Sequence, residues 1–276
     1  MKEAEIKKAV REGYAERVKT RSSCCAPAKS CCGSSTPAES ISKAIGYTEA
    51  EMASVPEGAN LGLGCGNPIA LASLNEGETV LDLGSGAGFD CFLAANRVGE
   101  SGKVIGVDMT PEMLEKAREN AEKGGYRNAE FRLGEIENLP AADNSIDVII
   151  SNCVINLSPD KKQVFREAFR VLKPGGRLMV SDIVLLKELP DFIRNSVAAY
   201  VGCISGALMK NEYLDAIVEA GFEEVQILDE AVFPIDCMAN DPTAKAVIDK
   251  MNLAEDEIQD TASSVASIKV RGIRPK

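Results

Sequence analysis

The 276-residue sequence predicts an α/β fold: a doubly wound, mostly parallel sheet behind an N-terminal helical, cysteine-rich segment. A C-terminal insertion precedes the last strand. Three observations predict this. Short apolar runs, Val80-Leu81-Asp82-Leu83 and Val104-Ile105-Gly106-Val107 among them, alternate with stretches of helical periodicity. A glycine-rich turn, Gly84-Ser85-Gly86-Ala87-Gly88, joins the first run to the helix after it. The second run ends on an acid, Asp108, at the strand tip where such sheets meet nucleotide-type ligands.

The elements follow in order. Residues 2–19 predict a helix, because Ile6, Val10, Tyr14 and Val18 recur at i, i+4 and make one apolar stripe. Residues 21–40 are small, polar and punctuated by Pro27, Gly33 and Pro37, which predicts a loop carrying Cys24, Cys25, Cys31 and Cys32. A short helix is expected at 48–55 and an irregular glycine-rich loop at 62–68. Strands are expected at 79–84, 103–108, 129–133, 146–151 and 177–183, with helices between them at 89–98, 111–123 and 160–172. Pro111 suits a first helical turn, and Lys173-Pro174-Gly175-Gly176 stops the third helix. Helices at 190–201 and 211–220, a strand at 223–228, further helices at 241–252 and 255–263, and a last strand at 267–271 complete the chain. The parts are then residues 1–40, a cofactor-binding core at 41–184, and 185–276 with its small subdomain.

With 45% hydrophobic and 26% charged residues, the composition is that of a globular chain with a large core. Acidic residues outnumber basic ones, 42 to 31, and the net charge of −11 argues against a nucleic-acid partner. The start, Met1-Lys2-Glu3-Ala4-Glu5, has no apolar export signal, and the charge-free stretch from Ala59 to Asn75 is too broken by glycine and Pro68 to span a membrane. A cytoplasmic monomer with reduced thiols is expected. Nine cysteines stand beside no histidine at all. That excludes Ser-His-Asp and Cys-His catalysis and any histidine-bearing zinc site.

The glycine spacing narrows the cofactor. Gly84, Gly86 and Gly88 fall as G-x-G-x-G, whereas a dinucleotide turn wants G-x-G-x-x-G, which argues against a nicotinamide dehydrogenase. Asp82, two residues earlier, would repel a pyrophosphate but suits a cationic cofactor. S-adenosylmethionine carries a sulfonium, an ammonium and a ribose diol without phosphate. This stretch resembles the first motif of class I S-adenosylmethionine-dependent methyltransferases, which implies their Rossmann-like fold. Backbone N–H groups of the turn would meet the methionyl carboxylate, and Asp108 the ribose hydroxyls. Glu135-Ile136 would meet the adenine, and the neighbouring Met109 and Asn152 are assigned to the same cofactor site.

The remaining chemistry is sulfur. Asn152-Cys153 ends the fourth strand where the acceptor should meet the methyl group. Cys203 lies in Gly202-Cys203-Ile204-Ser205-Gly206, and Cys65 stands between Gly64 and Gly66. A lone cysteine in such a place is otherwise a small buried hydrophobe. Three thiols without imidazole suit a soft three-coordinate ion better than zinc. Trivalent arsenic is such an ion, and its lone pair needs no general base. Cys91 reads as packing, and no role is argued for Cys237.

Five segments together (64–68, 82–91, 108–110, 151–157 and 202–207) are similar to the arsenite S-adenosylmethionine methyltransferases. The resemblance implies that Cys153 and Cys203 bind arsenic and that Cys65 serves binding and thiol exchange. It also implies an essential N-terminal cysteine, for which Cys32 is favoured with Cys31 close behind. Arsenite or its glutathione conjugate would be the acceptor, thioredoxin or glutathione the reductant, and no metal cofactor is implied. Two other readings stay open: a methyltransferase for a quinone, sterol or thiol, and a non-catalytic thiol-rich metalloid binder.

Overall fold

A computed structural model of the chain describes residues 2–21, 36–232 and 263–276. Its seven strands are β1 (Thr79–Leu83), β2 (Lys103–Asp108), β3 (Ala129–Leu133), β4 (Ile146–Asn152), β5 (Leu172–Leu185), β6 (Glu223–Val232) and β7 (Val265–Ile273). They lie in the order β3-β2-β1-β4-β5-β7-β6. The first five are parallel, and β7 runs antiparallel between β5 and β6. The chain leaves β1 toward β2 and β3, then returns to β1's other side as β4. That reversal opens a crevice beyond the carboxyl ends of β1 and β4.

Helices cover both faces, so the central strands are apolar on both sides. Leu81 and Leu83 pack one core with Ile149, Phe165 and Tyr213, while Val80 packs the other with Phe92, Leu114 and Ile150. The N-terminal α1 (Glu3–Arg21), α2 (Pro37–Ala44), α3 (Glu49–Ala53) and α4 (Pro68–Ala72) precede the sheet. Within it run α5 (Phe89–Val98), α6 (Pro111–Gly124) and α7 (Lys161–Val171). Beyond β5 come α8 (Asp191–Arg194), α9 (Val197–Val201) and α10 (Lys210–Glu219). Among the described residues no helix is long and apolar enough to cross a membrane.

Several elements depart from expectation. The helix expected at 190–201 is two, because the chain turns at Asn195 and Ser196 restarts it by accepting from the Ala199 N–H at 3.2 Å. The loop expected through residue 40 ends early, since Thr36 and Glu39 form a reciprocal capping box at the start of α2. Strand β5 starts at Leu172, through the Pro174-Gly175-Gly176 stop, with a register irregularity against β4. The helices expected at 241–252 and, but for residue 263, at 255–263, together with Cys24, Cys25, Cys31, Cys32 and Cys237, lie outside the described residues.

Candidate active site

The glycine turn forms the floor of a cavity in the crevice. Gly84, Gly86 and Gly88 all have left-handed backbones, φ 69°, 52° and 94°. A Cβ on Gly84 would run into the Val154 side chain, whereas for one on Gly86 the nearest neighbour among the described residues would be Met113 Sδ at 3.9 Å. The first glycine is needed for packing, and the second leaves the floor open. Asp108 fixes the turn: its carboxylate accepts from the Gly86 and Thr110 N–H groups at 2.9 and 2.8 Å. Burial raises its pKa despite those bonds.

Two acids sit side by side beneath the turn. Asp82 is 2% exposed, and burial, with the Asp90 charge second, raises its pKa well above the carboxylate range. Asp90 accepts from the Tyr47 hydroxyl at 2.6 Å, and burial pushes its pKa to about 6. Cys91 does more than pack: its Sγ donates to Asp82 at 3.2 Å. Ser85 Oγ is buried without a hydrogen-bond partner among the described residues, and Ser85 lines the cavity. Paired buried carboxylates, an open glycine floor and an orphan hydroxyl fit a cationic ligand with polar groups of its own.

Asn152 joins this end of the cavity to the cysteines. Its Oδ1 accepts from the Cys65 N–H at 3.0 Å, while Nδ2 reaches the Gly66 carbonyl at 2.8 Å, Tyr47 at 2.9 Å and Asp90 at 3.2 Å. The next residue, Cys153, has φ 60°, and its N–H donates to the Ser181 carbonyl at 2.8 Å. Cys203, φ 63°, follows α9 and donates its Sγ to the Cys153 carbonyl at 3.0 Å. Cys65 stands behind them, its carbonyl held by Ser267 Oγ at 2.8 Å and its sulfur 3.9 Å from Ser181 Oγ. All three are buried free thiols. Hydrogen bonding to Cys203 and then Cys65, followed by burial, raises the Cys153 pKa well above the usual thiol value.

Beneath the sulfurs lies Asp182, fully buried. Its carboxylate accepts from Asn156 Nδ2 and the Ile183 N–H at 2.9 Å each, and from the Tyr213 hydroxyl at 3.1 Å. Burial pushes its pKa up to about 7. An Asp182 oxygen and the sulfurs of Cys65 and Cys153 all lie within 4.8 Å of one another.

Helix α1 roofs the cavity. Lys7 pairs with Glu135 at 2.7 Å and Glu137 at 3.2 Å, Val10 is buried over the cysteines, and the Tyr14 hydroxyl lies 4.0 Å from Cys203 Sγ. Burial, then the Cys203 charge, raises the Tyr14 pKa. Of the residues expected at the cofactor, Asp82, Gly84, Gly86, Asp108, Met109 and Ile136 line the cavity. Asn152, Cys153 and Cys203 line its other end. Glu135 turns its carboxylate to Lys7, and Gly88 packs on Phe92, where a Cβ would come within 2.7 Å. The sequence reading did not single out Tyr14, Tyr47, Ser85, Asp90 and Asp182. Signals for three of them were present: Tyr14 on the apolar stripe, Ser85 inside the glycine turn and Asp90 within the segment 82–91.

Residues 74–221 match the family described as a methyltransferase domain. An arsenite methyltransferase of Halobacterium salinarum is 51% identical over 230 residues, 81% of this chain and 59% of that protein. The human arsenite methyltransferase is 42% identical over 168 residues, 58% of this chain and 44% of that protein. The chain thus spans about half the length of these curated relatives. The crystal structure of an arsenic(III) S-adenosylmethionine methyltransferase from Chlamydomonas reinhardtii superposes with a TM-score of 0.63 at 33% identity, covering 88% of this chain and 75% of that one. With its Rossmann-like sheet and this degree of likeness, the chain belongs to the arsenite S-adenosylmethionine methyltransferase family of class I methyltransferases.

Proposed function

We propose that this chain moves methyl groups from S-adenosylmethionine to trivalent arsenic held by Cys153, Cys203 and Cys65. One observation carries the reading: the buried Cys153 and Cys203 line the cavity that holds the Gly84-Ser85-Gly86 turn, and the buried Cys65 sulfur lies within 4.8 Å of that of Cys153. When bound, S-adenosylmethionine supplies a methyl group made electrophilic by its sulfonium. Asp82 and Asp90 offset the cofactor's positive charge, and the glycine turn leaves room for its carboxylate above Gly86. Asp108 accepts from the ribose, and Met109, Ile136 and Asn152 border the ligand. Asn152 also holds the Cys65 loop in place.

Each thiol that bonds arsenic gives its proton to a departing hydroxide, so three waters leave as three sulfurs bind. The arsenic keeps an unshared pair, which attacks the methyl carbon, so no side chain need remove a proton. This agrees with a chain that has no histidine. Methylation formally oxidises arsenic to the pentavalent state. Two protein thiols return the electron pair by closing a disulfide, which thioredoxin or glutathione reopens. Cys32 is the favoured N-terminal member of that relay, and no metal cofactor is called for.

The test is incubation of the purified chain with arsenite, glutathione and labelled S-adenosylmethionine, followed by arsenic speciation. Labelled methylarsenicals with matching S-adenosylhomocysteine are expected. Untouched arsenic beside a methylated quinone, sterol or thiol would overturn the reading. Arsenite binding with no S-adenosylhomocysteine would leave only a metalloid binder.

A further inference from the structure

We propose that the cysteine end of the cavity also takes a thiophilic divalent cation, Zn²⁺ or Cd²⁺, with Asp182 as its fourth ligand. Two sulfurs, Cys65 and Cys153, and an Asp182 oxygen lie within 4.8 Å of one another, and the Cys203 thiol adjoins them, donating to the Cys153 carbonyl at 3.0 Å. All four residues are buried. The inference rests on this donor set alone and stands apart from the methyl-transfer reading.

Coordination number separates the two ligands. Arsenic bonded to three sulfurs points an unshared pair along its fourth direction and has no use for a carboxylate. A d¹⁰ cation has no such pair and closes its shell with four donors, mixing sulfur and oxygen freely. Three thiolates and one carboxylate complete that set.

The scaffold favours the arrangement. Strand β5 carries Asp182 beside Ser181, whose carbonyl takes the Cys153 N–H and whose hydroxyl touches the Cys65 sulfur. One backbone segment therefore spaces the carboxylate against two of the sulfurs. Of the Asp182 oxygens, Oδ1 accepts two hydrogen bonds and Oδ2 one, from Tyr213, so a lone pair remains for a metal. Three thiolates and a carboxylate around a divalent ion leave two negative charges. Lys161 is 8% exposed; burial lowers its pKa to about 8 while the Asp182 and Cys203 charges oppose that shift, so added negative charge at the site favours its protonated form. Binding releases the three thiol protons to solvent. A bound cation and arsenite would exclude each other, because they share sulfurs.

The experiment uses the reduced full chain with Cys24, Cys25, Cys31, Cys32 and Cys237 changed to Ser, so that these thiols do not compete. Cadmium is titrated anaerobically, reading the thiolate-to-metal absorption, and arsenite binding is measured on the same protein. One cadmium per chain is expected. Asp182→Asn should weaken cadmium roughly tenfold or more and shift arsenite affinity by less than about threefold. X-ray absorption of the zinc-loaded parent chain should show three sulfurs and one oxygen, which decides the matter even if the variant fails to fold. Cadmium binding indifferent to Asp182→Asn, an equal loss for both ligands, or a zinc shell with two or four sulfurs would overturn the proposal. Loss of the arsenite arm alone would instead count against the methyl-transfer reading.

Discussion

The Cys203 thiol donates to the backbone carbonyl of Cys153 across 3.0 Å, and both residues hold left-handed backbones at φ 63° and 60°. That conformation costs a non-glycine residue on the order of 1 kcal/mol or more, and it persists where the surroundings impose it. The Cys203 sulfur is thereby held against the Cys153 backbone.

Cys153→Gly separates folding from capture. Relief of backbone strain offsets the lost thiol and the greater freedom of glycine in the unfolded chain. Stability measured by denaturant should shift by less than about 1 kcal/mol. Arsenite binding should fall roughly a hundredfold, beyond what an outer partner costs. Retained binding would show that this sulfur is dispensable.

Asn152→Ala removes the acceptor of the Cys65 N–H and the donor to the Gly66 carbonyl. Leaving buried partners unmade should cost about 2–4 kcal/mol in unfolding free energy. Both S-adenosylmethionine and arsenite should bind more weakly in calorimetry, because one amide serves both ends of the cavity. Weakening of one ligand alone would contradict that role.

Gly84→Ala and Gly86→Ala should fail differently. Both need a positive φ, but only at Gly84 would the new methyl strike Val154. Gly84→Ala should lower the melting temperature more, while Gly86→Ala should fold and weaken S-adenosylmethionine by protruding into the cavity. Equal destabilisation would remove the distinction between packing glycine and floor glycine.

The buried carboxyl of Asp182 gives stability a pH dependence. Its pKa is raised from 3.8 to about 7 on folding. Between those values the folded chain keeps a proton that the unfolded chain has lost, so its contribution to stability falls as pH rises through the window. Asp182→Asn removes that pH dependence. From pH 4.5 to 7.5 the wild type should lose on the order of 2–4 kcal/mol relative to the variant in denaturant titrations. Parallel pH profiles would mean that the carboxyl titrates normally.

Local pattern carried much of the sheet. Strands Lys103–Asp108 and Ala129–Leu133 and helix Phe89–Val98 lie at the boundaries their periodicity and caps predict. Strand β5 was harder, because Pro174 and Gly175 read as a stop while tertiary pairing draws them into the sheet. The thiols were legible as chemistry, through glycine neighbours and the missing histidine. Their arrangement was not. That Cys65 stands behind Cys153 depends on Ser181 and Ser267, which belong to strands far apart in sequence. Asp182 was hidden for a related reason: an acid inside an apolar run shows its partners only after Asn156 and Tyr213 pack around it. Glu135 shows the converse, since its surface position gave no hint that Lys7 of α1 would claim the carboxylate.

The most direct measurement is arsenic X-ray absorption on the arsenite-loaded chain with Cys24, Cys25, Cys31, Cys32 and Cys237 changed to Ser. Three sulfur neighbours around one arsenic are expected, falling to two in each of Cys65→Ser, Cys153→Ser and Cys203→Ser. Fewer than three sulfurs in the parent, or a shell that Cys203→Ser leaves unchanged, would contradict the account.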